Sequence, residues 1–133
     1  MNRLKAKVTE IQNIDNLNIV KFNFNSTQLT MMSLNLNKNI KVGKDVYLTL
    51  NPNHIALAKE FSGMLSFANK IDAIIHSCEN GKLLSSIKLL VGDTILEAII
   101  TMESSRRMEL KNGDNITIMI KASELSIAEF IDD

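Results

Sequence analysis

The sequence contains little that would support metal, disulfide or base-stacking chemistry. It has one cysteine, two histidines and no tryptophan, and aromatic residues make up only 5% of its 133 residues. Cys78 alone cannot close a disulfide within the chain, and together with His54 and His76 it forms no zinc-ligand spacing. So few aromatic rings leave no platform on which nucleic-acid bases could stack. We therefore expect no metal site and no need for an oxidising compartment.

The sequence also lacks an excess of charge of either sign and lacks long apolar runs. Lysine and arginine together number 15, as do aspartate and glutamate, so the chain has no electrostatic bias toward nucleic acid or membrane surfaces. Its apolar runs are a few residues long, whereas about 20 are needed to cross a bilayer. No charged-then-apolar segment leads the chain. We expect a cytoplasmic protein that binds neither nucleic acid directly nor a membrane.

What the sequence does contain is a series of short apolar–polar alternations. A period of two predicts β-strands with one buried face. Turn residues follow at Asn80-Gly81, Gly92-Asp93 and Asn112-Gly113. The best helix signal covers only Glu103 to Met108, with Thr101 as its N-cap. The pattern predicts an all-β chain of small barrels. Four sets of apolar residues are predicted to face inward, at positions 4/6/8, 20/22/24, 46/48/50 and 116/118/120.

The alternating pattern repeats along the chain, which indicates an internal duplication. Adding 70 to the residue number carries Gly43 to Gly113 and the set 46/48/50 to 116/118/120, whereas near the start an offset of 67 carries Leu4 to Ile71. The difference between the two offsets predicts extra residues in the second repeat around 102–108. We predict two tandem domains, residues 1–62 and 66–133. Each has about 60 residues and would be marginally stable alone.

Residues 98–128 resemble the signature of the Mop family of TOBE domains. The matching segments read A-I-I-T-M-E-S, L-K-N-G-D and I-M-I-K-A-S-E, ending at Glu124. The resemblance is weaker over 69–97, and the first repeat looks more like the diverged TOBE domains appended to transporter ATPases. It implies that each repeat is a five-stranded, OB-like barrel with at most one short helix. It also implies that the chain binds molybdate or tungstate, with no organic cofactor and no directly ligated metal cation.

The resemblance further implies which side chains bind the oxyanion. Family sites use a threonine, a serine three positions later and an arginine three further, a spacing that Thr101, Ser104 and Arg107 reproduce. A tetrahedral dianion offers only hydrogen-bond acceptors, so a site for it needs donors of this kind, worth roughly 1.5–3 kcal/mol each when charge-assisted.

Two further segments complete the implied oxyanion site. A lysine and a hydroxyl used by the family match the segment Lys121-Ala122-Ser123. The "S-A-R-N" that opens a family domain appears here as Ser66-Phe67-Ala68-Asn69, with the serine and asparagine kept and the arginine lost. The first repeat has no equivalent of these donors, so the site is expected to depend on the second repeat.

Several of these residues also have simpler interpretations. Lys121 taken alone is typical of a solvated strand end, and Ser66 of a solvated linker. Adjacent helix positions such as Arg106 and Arg107 are not expected to face one site together. His54 occupies the position that Glu124 has in the second repeat, which favours a role in a turn. Cys78 has no base partner suggested by its spacing and is expected to be inert.

The sequence is compatible with three functions to different degrees. The favoured one is oxyanion binding for storage, homeostasis or sensing, at sites where subunits meet. The alternative is an accessory or regulatory TOBE-type interaction domain of a molybdate transport or regulatory system, acting through protein contacts. An enzyme is least supported, because no paired carboxylates, nucleophile with base or phosphate-binding glycine loop is present.

The resemblance implies a homotrimer, with a homodimer as second choice. Small barrels also leave apolar residues in excess of what their cores need, and these are expected to be covered by neighbours. The candidates are Met31, Met32, Met64, Leu65, Phe67 and Phe130.

Overall fold

A computed structural model describes residues 1–130, with side chains described up to Ala128. This part of the chain is all-β apart from short helical segments, as predicted. The α-helix is α1 (Met102–Arg107), and two 3-10 helices span Pro52–His54 and Ala122–Glu124. The strands are β1 (Asn2–Ile14), β2 (Leu17–Phe24), β3 (Thr27–Ser33), β4 (Asp45–Leu50), β5 (Ala56–Ala58), β6 (Asn69–Asn80), β7 (Leu84–Val91), β8 (Thr94–Thr101), β9 (Asn115–Ile120) and β10 (Ser126–Phe130).

The strands form two five-stranded antiparallel sheets that exchange their last strands. The first sheet has the order β10-β4-β1-β2-β3 and the second the order β5-β9-β6-β7-β8. Strand β5 therefore leaves the first repeat to pair with β9, and β10 leaves the second repeat to pair with β4. The predicted ranges 1–62 and 66–133 describe repeats of sequence, while each sheet draws strands from both.

The spacing of the elements confirms the duplication read from the sequence. The first three strands of each repeat begin at positions that differ by 67, namely 2 and 69, 17 and 84, and 27 and 94. The next strand, the 3-10 helix and the last strand begin at positions that differ by 70, namely 45 and 115, 52 and 122, and 56 and 126. The additional residues of the second repeat lie between β8 and β9, where α1 forms. Thr101 caps this helix by accepting a hydrogen bond from the Ser104 N–H, as predicted.

Alternating side chains build the core as expected. The four predicted inward sets, among them Phe22, Leu48 and Ile118, are all buried. Met31 is also buried, so its assignment as a surplus surface residue was wrong; it occupies an inward position of β3. Met32, Met64 and Leu65 are exposed and Phe67 is half-buried. The side chain of Phe130 lies outside the described residues.

Two buried asparagines join the sheets at their edge strands. The Asn69 side chain accepts a hydrogen bond from the Thr30 N–H at 2.6 Å and donates one to the Thr30 carbonyl at 2.9 Å. Asn2 makes the same pair of bonds with Glu97, both at 2.8 Å. Asn2 and Asn69 are equivalent positions of the two repeats, and so are Thr30 and Glu97. Each repeat thus satisfies one N–H and one carbonyl of the other repeat's edge strand.

The hairpin tips of the two repeats also meet closely. Gly92, in the β7–β8 turn, has a φ of +58°, and a Cβ at this position would lie 2.2 Å from the Asn25 Nδ2. Asn25 occupies the equivalent turn of the first repeat and donates to the Val91 carbonyl. Gly92 and Asn25 are equivalent positions of the two repeats, and their contact requires glycine at one of them. The two repeats therefore cannot have the same residue at this position.

Charged substitutions at the core positions should destabilise the protein without any ligand involved. Leu48→Asp and Ile118→Asp would each place an unpaired charge where the side chain is 0% exposed, at a cost of several kcal/mol. Chemical denaturation measures the free energy of unfolding. Ile14→Asp is the control, because Ile14 is 75% exposed. Core variants as stable as this control would show that the strands were assigned the wrong face.

Candidate functional site

Thr101, Ser104 and Arg107 form one hydrogen-bonded cluster at helix α1. The Thr101 hydroxyl donates to the Ser104 Oγ at 2.9 Å and accepts from the Ser104 N–H at 3.1 Å. The Arg107 Nη2 donates to the same Ser104 Oγ at 3.3 Å. The three-residue spacing brings these side chains to one side of the helix, since residues three apart are neighbours on its surface.

The arrangement leaves some hydrogen-bond donors of the cluster unused within the described residues. The Ser104 oxygen accepts two hydrogen bonds, so its own proton is free to bind an external acceptor. Arg107 has five N–H donors, and Ser104 receives one of them. Within the described residues, no carboxylate bonds to this cluster. It can therefore offer a hydroxyl and a guanidinium to an anion.

A cleft of about 830 Å³ lies beside the cluster. Thr101 lines it from the end of β8 and Arg107 from α1, while Lys82 and Leu84 line it from the turn after β6 and the start of β7. Arg106 lines the same cleft as Arg107, although adjacent helix positions are not expected to face one site together. The sequence gives no signal for Lys82, because this residue lies two strands before the motif and no local pattern connects them.

The other predicted donors lie elsewhere in the chain. Ser123 lines a separate cleft of about 560 Å³, against Ser33 and Asn35 of the first repeat. Lys121 is exposed and precedes the second 3-10 helix, on which Ala122 is half-buried. Ser66 is exposed in the segment before β6. The described part of one chain thus holds the predicted donors in two or more places, and the assignment of Lys121, Ala122, Ser123 and Ser66 stays a prediction.

A lysine from the first repeat supports the end of helix α1. The Lys59 Nζ donates to the carbonyls of Met108 and Glu109, at 3.1 and 2.9 Å, and forms an ion pair with Asp114 at 3.2 Å. Asp114 also accepts from the Lys111 N–H. Carbonyls just after a helix need such donors. Because Lys59 follows the exchanged strand β5, the strand exchange itself positions the helix that carries the cluster.

The remaining titratable candidates have structural roles. His54 ends the first 3-10 helix, as predicted for a turn residue, and its Nδ1 lies 2.7 Å from the Glu124 Oε2. The two residues are equivalent in the two repeats. Burial, with a smaller effect of Asp114, raises the pKa of the Cys78 thiol, which disfavours the reactive thiolate.

Within residues 1–130, no group of three or more His, Cys, Asp and Glu side chains is placed to hold a metal ion. None of the helices in this part of the chain is long and apolar enough to span a membrane.

Loss of the Asp114 carboxylate should weaken the support of α1 in a pH-dependent way. The hydrogen bond from the Lys111 N–H holds the pKa of Asp114 below its ordinary value of 3.8, and the hydrogen bond from the Lys59 ammonium adds a smaller effect in the same direction. A carboxyl whose pKa is lower in the folded protein than in the unfolded chain stabilises the fold at any pH above the unfolded pKa. This stabilisation is lost as the pH falls through the folded pKa. Asp114→Asn should therefore lower the melting temperature at neutral pH, and the difference from the parent should close below pH 3.8.

The control for this experiment is Asp93→Asn, at an exposed turn position. It should melt like the parent at every pH in a scanning calorimetry series. An Asp114 variant with a constant deficit across the acid range would contradict the ion-pair interpretation.

Comparison with known proteins connects this geometry to a family. The TOBE domain model matches residues 66–127, which include α1 and the second 3-10 helix. No curated protein matches the chain. Among solved structures, the cytoplasmic molybdate-binding protein ModG, with molybdate bound, is 20% identical, covers 95% of this chain and 94% of its own, and has a TM-score of 0.89.

A molybdate-binding protein from Sporomusa ovata is 28% identical over 50% of this chain and 100% of its own, with a TM-score of 0.49. The likeness to ModG extends over both repeats and shows that the two-sheet fold is shared. The TOBE domain model thus accounts for the second repeat over residues 66–127, and the first repeat has the same strand order and spacing.

Proposed function

We propose that this protein binds tetrahedral oxyanions of the molybdate or tungstate type in the cytoplasm, for storage, homeostasis or sensing, and that it is not an enzyme. The observation that carries the proposal is the cluster of Thr101, Ser104 and Arg107 within the matched TOBE domain. ModG, which has the same fold, is a molybdate-binding protein. The cluster presents donors without a carboxylate partner among the described residues, which is the chemistry that a dianion needs.

We place the site between subunits. Within one chain, neither Lys121 nor Ser123 lines the cleft beside the α1 cluster, and Ser123 lines a different cleft. A site that combines both sets therefore needs the Lys121–Ser123 segment of a neighbouring chain to approach the α1 cluster. This arrangement would link anion binding to assembly, because neither chain alone supplies every donor.

The second candidate function is an accessory or regulatory TOBE-type interaction domain acting through protein contacts. The observation in its favour is the apolar surface next to the α1 cluster, where Leu83 is 82% exposed and Leu84 is 57% exposed. Exposed leucines that adjoin one another are typical of protein contact surfaces. Anion titration separates the two functions, since a pure interaction domain does not bind molybdate.

Isothermal titration of the purified protein with molybdate, tungstate and sulfate tests the proposed function. We expect molybdate or tungstate to bind, and Lys121→Ala and Ser123→Ala each to weaken binding by about 1.5–3 kcal/mol if each supplies a charge-assisted hydrogen bond. Asn53→Ala is the matched control, because Asn53 is the first-repeat equivalent of Ser123 and is exposed. It should leave the affinity unchanged.

Two results of this titration would count against the proposal. No heat of binding with any of the three anions would favour the interaction domain. Binding by the parent with unchanged affinity in both the Lys121 and Ser123 variants would remove these residues from the site while leaving the function intact.

We further propose that the chain assembles as a homotrimer, with a homodimer as second choice. The outer face of the second sheet carries an apolar row across three paired strands, Ile74, Leu90 and Ile95, with Ile74 46% and Ile95 53% exposed. At the equivalent positions, the first sheet carries Lys7, Asn23 and Gln28. The fold therefore accepts polar residues in this row, so the apolar side chains of the second sheet favour a subunit contact.

Transplanting the first repeat's row onto the second tests this assembly. Ile74→Lys, Leu90→Asn and Ile95→Gln combined should preserve the fold, because the first repeat already folds with these residues, and should reduce the assembly to the 14.9 kDa of one chain. Light scattering at micromolar concentration measures the mass. Val42→Lys is the control at a 62% exposed apolar site. A parent that is itself monomeric, with and without molybdate, would overturn the intersubunit site.

A further inference from the structure

The cleft beside α1 concentrates positive charge that the chain itself does not neutralise. Lys82, Arg106 and Arg107 line it, with Glu103 as the acidic lining residue, so three positive charges face one negative charge. Among the described side chains, neither Lys82 nor Arg106 forms a hydrogen bond or ion pair. Several lysines elsewhere in the chain are paired, as Lys59 is with Asp114 at 3.2 Å.

The duplication supplies an internal control for this charge. Lys82 lies between β6 and β7, and the equivalent position between β1 and β2 is Asp15, since the two repeats are offset by 67 in this region. The sign of the charge is thus reversed between two turns that connect equivalent strands. Helix α1, which carries Arg106, has no counterpart between β3 and β4. The fold therefore does not require these two cations, and their presence in the second repeat needs another explanation.

We infer that Lys82 and Arg106 are ligand-binding residues of the same oxyanion site and that they select for a doubly charged anion. This inference rests on the proposed function. Within one chain the cleft has an excess of two positive charges, from three cations and one carboxylate, and Lys121 of a neighbouring chain would add a third. A tetrahedral dianion offsets more of this charge than a monoanion of the same shape does. Arg107, which lines the cleft, provides directional hydrogen bonds, while Lys82 and Arg106 add Coulomb attraction from the cleft's two walls.

This division of roles predicts which anions the two cations affect. Removing a positive charge weakens attraction to a dianion about twice as much as attraction to a monoanion, because Coulomb energy is proportional to the product of the charges. The attraction acts through solvent at an open cleft, so salt screens it. Lys82 and Arg106 are thus expected to control charge selectivity and the salt dependence of binding more than shape selectivity.

The experiment compares Lys82→Met and Arg106→Met with the parent by isothermal titration, using molybdate and the singly charged tetrahedral anion perrhenate. We expect each variant to lose about fivefold in molybdate affinity at low salt, as for a solvent-screened charge pair. The loss for perrhenate should be smaller, and the molybdate affinity of the double variant should depend less on salt concentration. Lys41→Met is the control, since it removes one exposed lysine from the first repeat and changes the net charge equally.

Each outcome bears on a distinct claim. Variants that bind molybdate like the Lys41 control, while the parent binds it, would overturn the role of Lys82 and Arg106 and leave the proposed function standing. Equal losses for molybdate and perrhenate would overturn the charge selectivity. A parent that binds neither of these anions nor tungstate would overturn the proposed function and this inference together.

Discussion

The buried amide of Asn69, with that of Asn2 in the equivalent position, is the interaction on which the arrangement of the two sheets depends. Each side chain presents one donor and one acceptor to the backbone of the other repeat's edge strand, at Thr30 and Glu97. An edge strand left open is a site for unwanted pairing, and its buried groups would be costly without partners. The asparagines satisfy these groups and, together with the exchanged strands β5 and β10, make the two repeats one structural unit.

This unit explains how two repeats, each too small to be more than marginally stable alone, form a stable protein and still diverge. The strands and core are constrained by shared pairing, so the offsets of 67 and 70 between equivalent strands are preserved. Positions outside that constraint differ between repeats. Gly92 faces Asn25 where only one side chain fits, and His54 pairs with its own equivalent, Glu124. In a duplicated chain, two equivalent positions that contact each other can carry different residues. In a symmetric pair of identical chains, the two positions would have to carry the same residue.

The candidate site follows from the same divergence. The additional residues between β8 and β9 allow helix α1 to form, and the helix aligns Thr101, Ser104 and Arg107. Lys59 holds the end of this helix from the first repeat. The first repeat therefore contributes support to the second repeat's cluster without carrying the donors itself, and this is why both repeats bear on one proposed function.

The sequence by itself determined the all-β class, the inward face of four strands, the duplication and the helix cap, because each depends on local periodicity or on residues within one turn. The resemblance to Mop domains pointed to Thr101, Ser104 and Arg107, and the helix brings these three side chains together because they are three residues apart. Only the tertiary structure decided that β5 and β10 change sheets, that Asn2 and Asn69 bind edge strands, and that Lys82 joins the α1 cleft. These contacts form between residues far apart in the chain, and their geometry depends on how two sheets pack, which no local pattern encodes.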